Sequence, residues 1–199
     1  MKFDWEEHYK NGGQSGDPSD YEKSRDWKLE LLSRHYIRDN DSIIDVACGD
    51  LQFWNGEPPL NYTGVDISQT IIDRHKQMCR GRNFICSNAG TLLNIKADVV
   101  ICFDMLWHVI DDNEYVKVLE NIKKYSDKYI FVFTWNSNPL SIVSYIMEWL
   151  VGNRGRVEYQ KYRDYRTISD PIFFPEFKLI EVHTNNVWKF GSMYVYEKA

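Results

Sequence analysis

Five short apolar runs divide the first 135 residues, and the first four reach an acid or an amide near their C-terminal end. They are SIIDVA (42–47), YTGVDIS (62–68), NFICSNA (83–89), ADVVICFDML (97–106) and KYIFVFTW (128–135). Val99 to Phe103 and Ile130 to Phe133 are apolar without alternation, so both faces of such strands must be covered. Between the runs lie segments of helical period. These are SQTIIDRHKQMCR (68–80) and DNEYVKVLENIKKYS (112–126), the latter apolar at Tyr115, Val116, Val118, Leu119 and Ile122. Strands alternating with helices predict an α/β chain with a doubly wound, mostly parallel sheet and helices on both faces.

The flanks differ from this core. The head, HYKNGGQSGDPSD (8–20), is polar and glycine-rich, but Phe3, Trp5 and Tyr9 give it groups to pack onto the body. A helix follows in SDYEKSRDWKLELLSRHYI (19–37), with Ser19 as a possible N-cap and Trp27, Leu31, Leu32 and Tyr36 at helical spacing. After residue 135, LSIVSYIMEWLVG (140–152) reads as an apolar helix and NRGRVEYQKYRDYR (153–166) is aromatic and basic. FKLIEV (177–182) and SMYVYEK (192–198) close the chain as two strands with no helix between them, hence an antiparallel C-terminal edge. At 199 residues, one domain is expected over 1–199. It divides into an N-terminal cap (1–37), a cofactor-binding core (38–135) and an acceptor-side helix with closing strands (136–199).

Composition narrows the function. A net charge of −5 disfavours a general grip on nucleic acid. Aromatic residues make up 15% of the chain, enough to line a pocket as well as a core. Cys48, Cys79, Cys86 and Cys102 form no C-x-x-C pair, and the histidines have no metal-ligand spacing, so reduced thiols and no metal are expected. MKFDWEEHYK lacks the apolar region of a signal peptide, and no run is long enough for a membrane span. A cytoplasmic protein, monomer or homodimer, is expected.

In an open α/β sheet, ligands bind outside the carboxyl ends of the strands. Asp45-Val46-Ala47-Cys48-Gly49-Asp50 ends the first run with small residues that permit a sharp turn and close ligand approach. Asp66, 21 residues after Asp45, ends the second and can accept from both hydroxyls of a ribose. Asn88 and Ala89 follow the third, where an amide could read a base edge. Phe103, Asp104, Met105 and Leu106 end the fourth, apolar enough to sandwich an adenine. This is a nucleoside-type site. A dinucleotide needs G-x-G-x-x-G, but Gly49 is the only glycine between residues 41 and 55. S-adenosylmethionine, with no phosphate, an amino-acid tail and a sulfonium, suits a turn that mixes small residues with carboxylates.

IIDVACGD, YTGVDIS and ADVVICFDMLWHV resemble the first, second and fourth motifs of class I S-adenosylmethionine-dependent methyltransferases, whose fold is Rossmann-like. The family's three glycine positions in the first motif fall on Ala47, Gly49 and Leu51, so two depart. HYKNGGQSG, CGD, GVDIS and FDMLWHVIDD are similar to a bacterial group linked to glycan or sugar biosynthesis. The resemblance spans about residues 5–135. It implies that Asp45, Ala47, Cys48 and Gly49 line the methionine end, Asp66 and Ile67 the ribose, and Asn88 and Ala89 the adenine. Phe103 and Asp104 then lie beside the sulfonium, Met105 belongs to the cofactor-binding set, and Tyr9, Gly13 and Lys28 lie near the cofactor carboxylate. Asp45 would orient the ammonium, directly or through water.

For the acceptor, His108 is the candidate base, since an oxygen nucleophile must lose a proton; Asp104 could instead orient the acceptor. Both the Asn/Asp-Pro-Pro-aromatic signature of amino-methylating nucleic-acid enzymes and the Pro-Cys of carbon-methylating ones are missing. The basic stretch 154–166 could hold an acidic acceptor or be a locally paired surface helix. The expected function is methyl transfer from S-adenosylmethionine to a small-molecule or glycan-like acceptor, at oxygen. A non-catalytic, regulatory or scaffold protein that binds the same cofactor is the alternative, and a nicotinamide dehydrogenase a weaker third.

Overall fold

The computed structural model describes residues 3–15, 21–36, 38–138, 159–187 and 189–199. The expected helix at 140–152 and the start of the basic stretch lie outside them. Seven strands form one sheet: β1 (Ile43–Val46), β2 (Tyr62–Asp66), β3 (Asn83–Cys86), β4 (Ala97–Phe103), β5 (Ser126–Trp135), β6 (Phe177–Thr184) and β7 (Gly191–Lys198). Their order is β3-β2-β1-β4-β5-β7-β6. β1 to β5 run parallel to one another, whereas β7 pairs antiparallel with both β5 and β6. This is the Rossmann-like, mostly parallel sheet with an antiparallel edge that the sequence predicts.

The continuous apolar runs are explained by two cores. Ile43, Val99, Ile101, Phe131, Phe133, Met193 and Val195 point to one face. There they meet Leu31 and Leu32 of α2 (Tyr21–Ser33) and Ile71 and Ile72 of α3 (Gln69–Met78). The alternate residues Ile44, Val100, Cys102, Ile130, Val132, Tyr194 and Tyr196 point to the other. That face is covered by α4 (Asp112–Tyr125) and α5 (Tyr165–Phe173). Burying a large apolar side chain on either face contributes about 1.5–3 kcal/mol, which fixes the strand register against a one-residue slip.

Three local readings differ. α2 ends at Ser33 instead of continuing to 37. α4 passes directly into β5, which begins at Ser126, two residues before the expected run. α5 was not foreseen: YRTISDPIF contains Pro171, yet Tyr165, Ser169 and Phe173, four residues apart, form its buried stripe.

Between β1 and β2 the chain makes a left-handed turn at every second residue. φ is +66° at Ala47, +52° at Gly49 and +61° at Leu51, the three positions where the resemblance puts glycine. Ala47 is kept there because its N–H and that of Cys48 both donate to Val65 O, at 2.8 and 3.1 Å. Leu51 is kept by burial in the core. A left-handed L-residue costs roughly 1–2 kcal/mol, and glycine's extra freedom when unfolded returns about 0.5–1 of this. Ala47→Gly is therefore expected to stabilise the fold by up to about 1 kcal/mol, read as a higher urea midpoint; a lower midpoint would contradict this account of the turn.

Candidate active site

The sheet order reverses at β1, leaving β2 on one side and β4 on the other, so the carboxyl ends of these three strands frame a crevice. Asp66 is its central fastener. Oδ2 accepts the Gly49 N–H at 3.0 Å and Oδ1 accepts the Ser68 N–H at 2.9 Å. Burial raises the Asp66 carboxyl above its usual range, and these backbone donors oppose the rise. Each oxygen retains a lone pair, so hydroxyl donors can be added without breaking either bond. From α3, buried His75 donates its Nε2–H to Gly49 O at 2.7 Å. The turn is thus held from both its N–H and its C=O.

Asp45 lies behind the turn and is 5% exposed. Its Oδ2 accepts Trp54 Nε1–H at 3.0 Å and Tyr62 Oη–H at 2.8 Å. Burial pushes the carboxyl up to about 6, against the pull of these two donors. Cys48 is buried beside the acids, and its thiol is raised well above normal, first by burial and then by Asp66 and Asp45.

The head roofs the crevice. α1 (Trp5–Lys10) begins at Asp4, whose side chain accepts from Glu7 N. Glu6 reaches the N-terminus of α3, where it accepts from Ser68 Oγ (2.6 Å), Thr70 N (3.1 Å) and Thr70 Oγ1 (2.6 Å). The two hydroxyls hold its carboxyl down at about 2. Tyr9 Oη lies 2.8 Å from Ser15 Oγ, and Ser15 N donates to Asp50 Oδ2 at 3.0 Å. A Cβ at Gly49 would meet Ser15 Oγ at 2.4 Å, so the absent side chain is what lets the head reach the turn. Gly13 plays the same part under His8, whose ring would lie 2.3 Å from a Cβ there.

On the far side, Asp104 follows β4 with φ +59°, and its N–H is tied to Phe133 O. Its carboxylate pairs with the buried ammonium of Lys28, which sits 4.0 Å from the Phe133 ring centroid. β1 and β4 are registered with Asp45 opposite Ile101, so Asp104 extends past the strands at the level of the turn. Lys28 and Asp104, assigned separately from the sequence, form one pair.

Several of the expected site residues are already engaged by neighbours. His108 is not free to act as a base in this arrangement. Its Nε2 accepts from Trp107 Nε1–H at 2.9 Å, and Nδ1 donates to Tyr159 O at 3.3 Å. Its ring also stacks on Tyr159, and burial lowers its affinity for a proton to a pKa of about 4. The Asn88 amide does not face a base edge unengaged: Nδ2 donates to Glu114 at 2.6 Å and Oδ1 accepts from Gly90 N at 2.7 Å. Ala89 presents its carbonyl to Asn121 Nδ2. Ile67 is half exposed at the end of β2, whereas Phe103 packs on Phe53. Met105 packs against the α4-side core. Of the basic stretch, residues 159–166 are described, and Lys161, Arg163 and Arg166 there are paired. Lys161 and Arg163 both bind Asp112, and Arg163 also donates to Val109 O and Ile110 O. Glu6, Ser15, Trp54 and His75 were missed; a lone acid, serine, Trp or His carries no periodic signal.

Residues 44–127 match a family model described as a methyltransferase domain. No curated protein matches the sequence. Among solved structures, magnesium protoporphyrin IX methyltransferase from Synechocystis, with bound SAH, aligns at TM-score 0.67 and 15% identity over 97% of this chain and 94% of that one. An S-adenosylmethionine-dependent methyltransferase from Clostridium acetobutylicum aligns at 0.64 and 14%, over 92% and 93%. An N-methyltransferase from Bradyrhizobium japonicum, in complex with S-adenosyl-L-homocysteine, aligns at 0.61 and 10%, over 92% and 89%. The matched segment runs from β1 to the start of β5, and the fold is shared with these methyltransferase structures. Among the described residues no helix is long and apolar enough to cross a membrane.

The latch formed by Glu6 is directly testable. Glu6→Ala is expected to speed amide hydrogen exchange across residues 5–15 several-fold while exchange in β4 and β5 stays slow. Unchanged exchange in the head would show that the latch does not hold it down.

Proposed function

We propose that the protein transfers a methyl group from S-adenosylmethionine to an oxygen of a small-molecule or glycan-like acceptor. The observation that carries the reading is the set of three carboxylates, Asp45, Asp50 and Asp66, around one left-handed turn at the sheet's switch point. A pyrophosphate would meet like charge there. A ligand with an ammonium and ribose hydroxyls meets acceptors for both. The donor is S-adenosylmethionine, which supplies an electrophilic methyl on a sulfonium.

The residues present fit it. Asp66 has lone pairs left for ribose hydroxyls, and the missing Cβ of Gly49 is what lets Ser15 and Tyr9 close over the turn. The head supplies the roof that excludes water, with Tyr9 and Ser15 over the turn. Because methyl transfer is an in-line displacement, positioning supplies much of the rate. Asp104 is the acceptor-orienting group in this reading, since its carboxylate is 40% exposed and pairs with Lys28, whereas both nitrogens of His108 are engaged. The glycan-like acceptor rests on the similarity of HYKNGGQSG and FDMLWHVIDD to the bacterial group linked to sugar biosynthesis.

Calorimetric titration tests the donor. Micromolar binding of S-adenosylmethionine and S-adenosylhomocysteine is expected, with none of NAD. Asp66→Ala is expected to weaken both by at least about tenfold, the loss of a charge-assisted hydrogen bond. Silence from both sulfur ligands would overturn the reading. Binding without turnover across a broad hydroxyl-acceptor screen would favour a non-catalytic cofactor-binding protein.

A further inference from the structure

The two donors on Asp45 come from outside the glycine-poor turn. Trp54 ends a short 3-10 helix, Gln52–Trp54, and Tyr62 is the first residue of β2. Both are buried, and their rings meet edge to face at 5.9 Å and 81°. Tyr62 is further packed on Phe84 at 5.8 Å. Both bonds fall on Oδ2. Two rigid donors on one oxygen fix the plane of the carboxylate. Among the described residues no hydrogen bond falls on Oδ1, which leaves it as the oxygen that can take a ligand.

We propose that Trp54 and Tyr62 are positioning residues for the cofactor's amino group: they keep Asp45 ionised and turned so that Oδ1 receives the ammonium of the methionine tail. The inference rests on the S-adenosylmethionine reading of the site. The physical need is clear from the surroundings. Asp66 on β2 repels a charge on Asp45, and the thiols of Cys48 in the turn and Cys102 on β4 face it without offering a positive partner. Among the described residues the groups that act on Asp45 are these and the two donors, not a cation. Burial therefore works against the charge, and the indole N–H and phenol O–H are what oppose it. With an ammonium absent, Asp45 takes a proton near pH 6. Removing either donor raises that point, since each stabilises the ionised form more than the neutral one.

The probe is S-adenosylhomocysteine, which carries the amino-acid tail without the sulfonium charge, titrated calorimetrically from pH 5 to 8. In the wild-type protein the affinity is expected to be level above about pH 7 and to fall about tenfold per unit well below pH 6. Tyr62→Phe, which keeps the packed ring, and Trp54→Phe are expected to move the onset of that fall upward by about one unit. At pH 6 they would then bind several-fold to about tenfold more weakly than wild type, and at pH 8 about equally. A uniform loss at every pH, with the onset unmoved, would assign the two residues a packing role and overturn the proposal. So would an unchanged profile in both variants. A wild-type protein that binds no S-adenosylhomocysteine at any pH would instead overturn the reading of the cofactor, and the proposal with it. Thermal melts of both variants at pH 8 verify folding.

Discussion

The bond from Gly49 N–H to Asp66 Oδ2 is the contact on which the rest of the site depends. A buried carboxylate is costly unless donors meet it, and here two backbone N–H groups do so. The bond ties the turn after β1 to the end of β2. To present its N–H, the chain must pass through three left-handed residues in alternation, two of which are not glycine. His75 completes the hold by taking the Gly49 carbonyl. The missing Cβ of Gly49 then provides the space into which Ser15 and Tyr9 descend. One hydrogen bond, one absent side chain and one roof follow from each other.

The same economy explains the electrostatics. Asp45, Asp50 and Asp66 crowd one turn, and each is kept there by donors: two side chains for Asp45, Ser15 and Gln52 for Asp50, two amides for Asp66. The acid at the end of a buried strand is met in part by Trp54 and Tyr62. In the proposed reading, the other oxygen takes the cofactor's ammonium. On the opposite bank, the Lys28–Asp104 pair places a cation between aromatic rings and an anion at the rim.

Much of this was legible in the sequence, because the signals were periodic or terminal. Continuous apolar runs such as Val99–Phe103 meet helices on both faces, and FKLIEV and SMYVYEK do form the antiparallel edge. Asp45, Gly49, Asp66 and Asp104 stand at strand ends, where a reader of α/β folds looks first. What escaped was non-local. α5 hides behind a proline and a run of charges, its three buried residues visible only once the opposing face of α4 is known. Glu6 belongs to a polar head and finds its partners 62 and 64 residues away. His108 and Asn88 have the right chemistry in the right places, but their polar atoms are spent on neighbours that no spacing rule reveals.

The central claim is that Asp66 and Asp45 divide one nucleoside cofactor between them across the Gly49 turn. A crystal structure with S-adenosylhomocysteine tests it most directly. The account predicts both ribose hydroxyls within hydrogen-bond distance of the Asp66 carboxylate, which keeps its bond to Gly49 N–H, and the amino group on Asp45 Oδ1, directly or through one water. A nucleoside bound away from Asp66, or an amino-acid tail that bypasses Asp45 altogether, would contradict it.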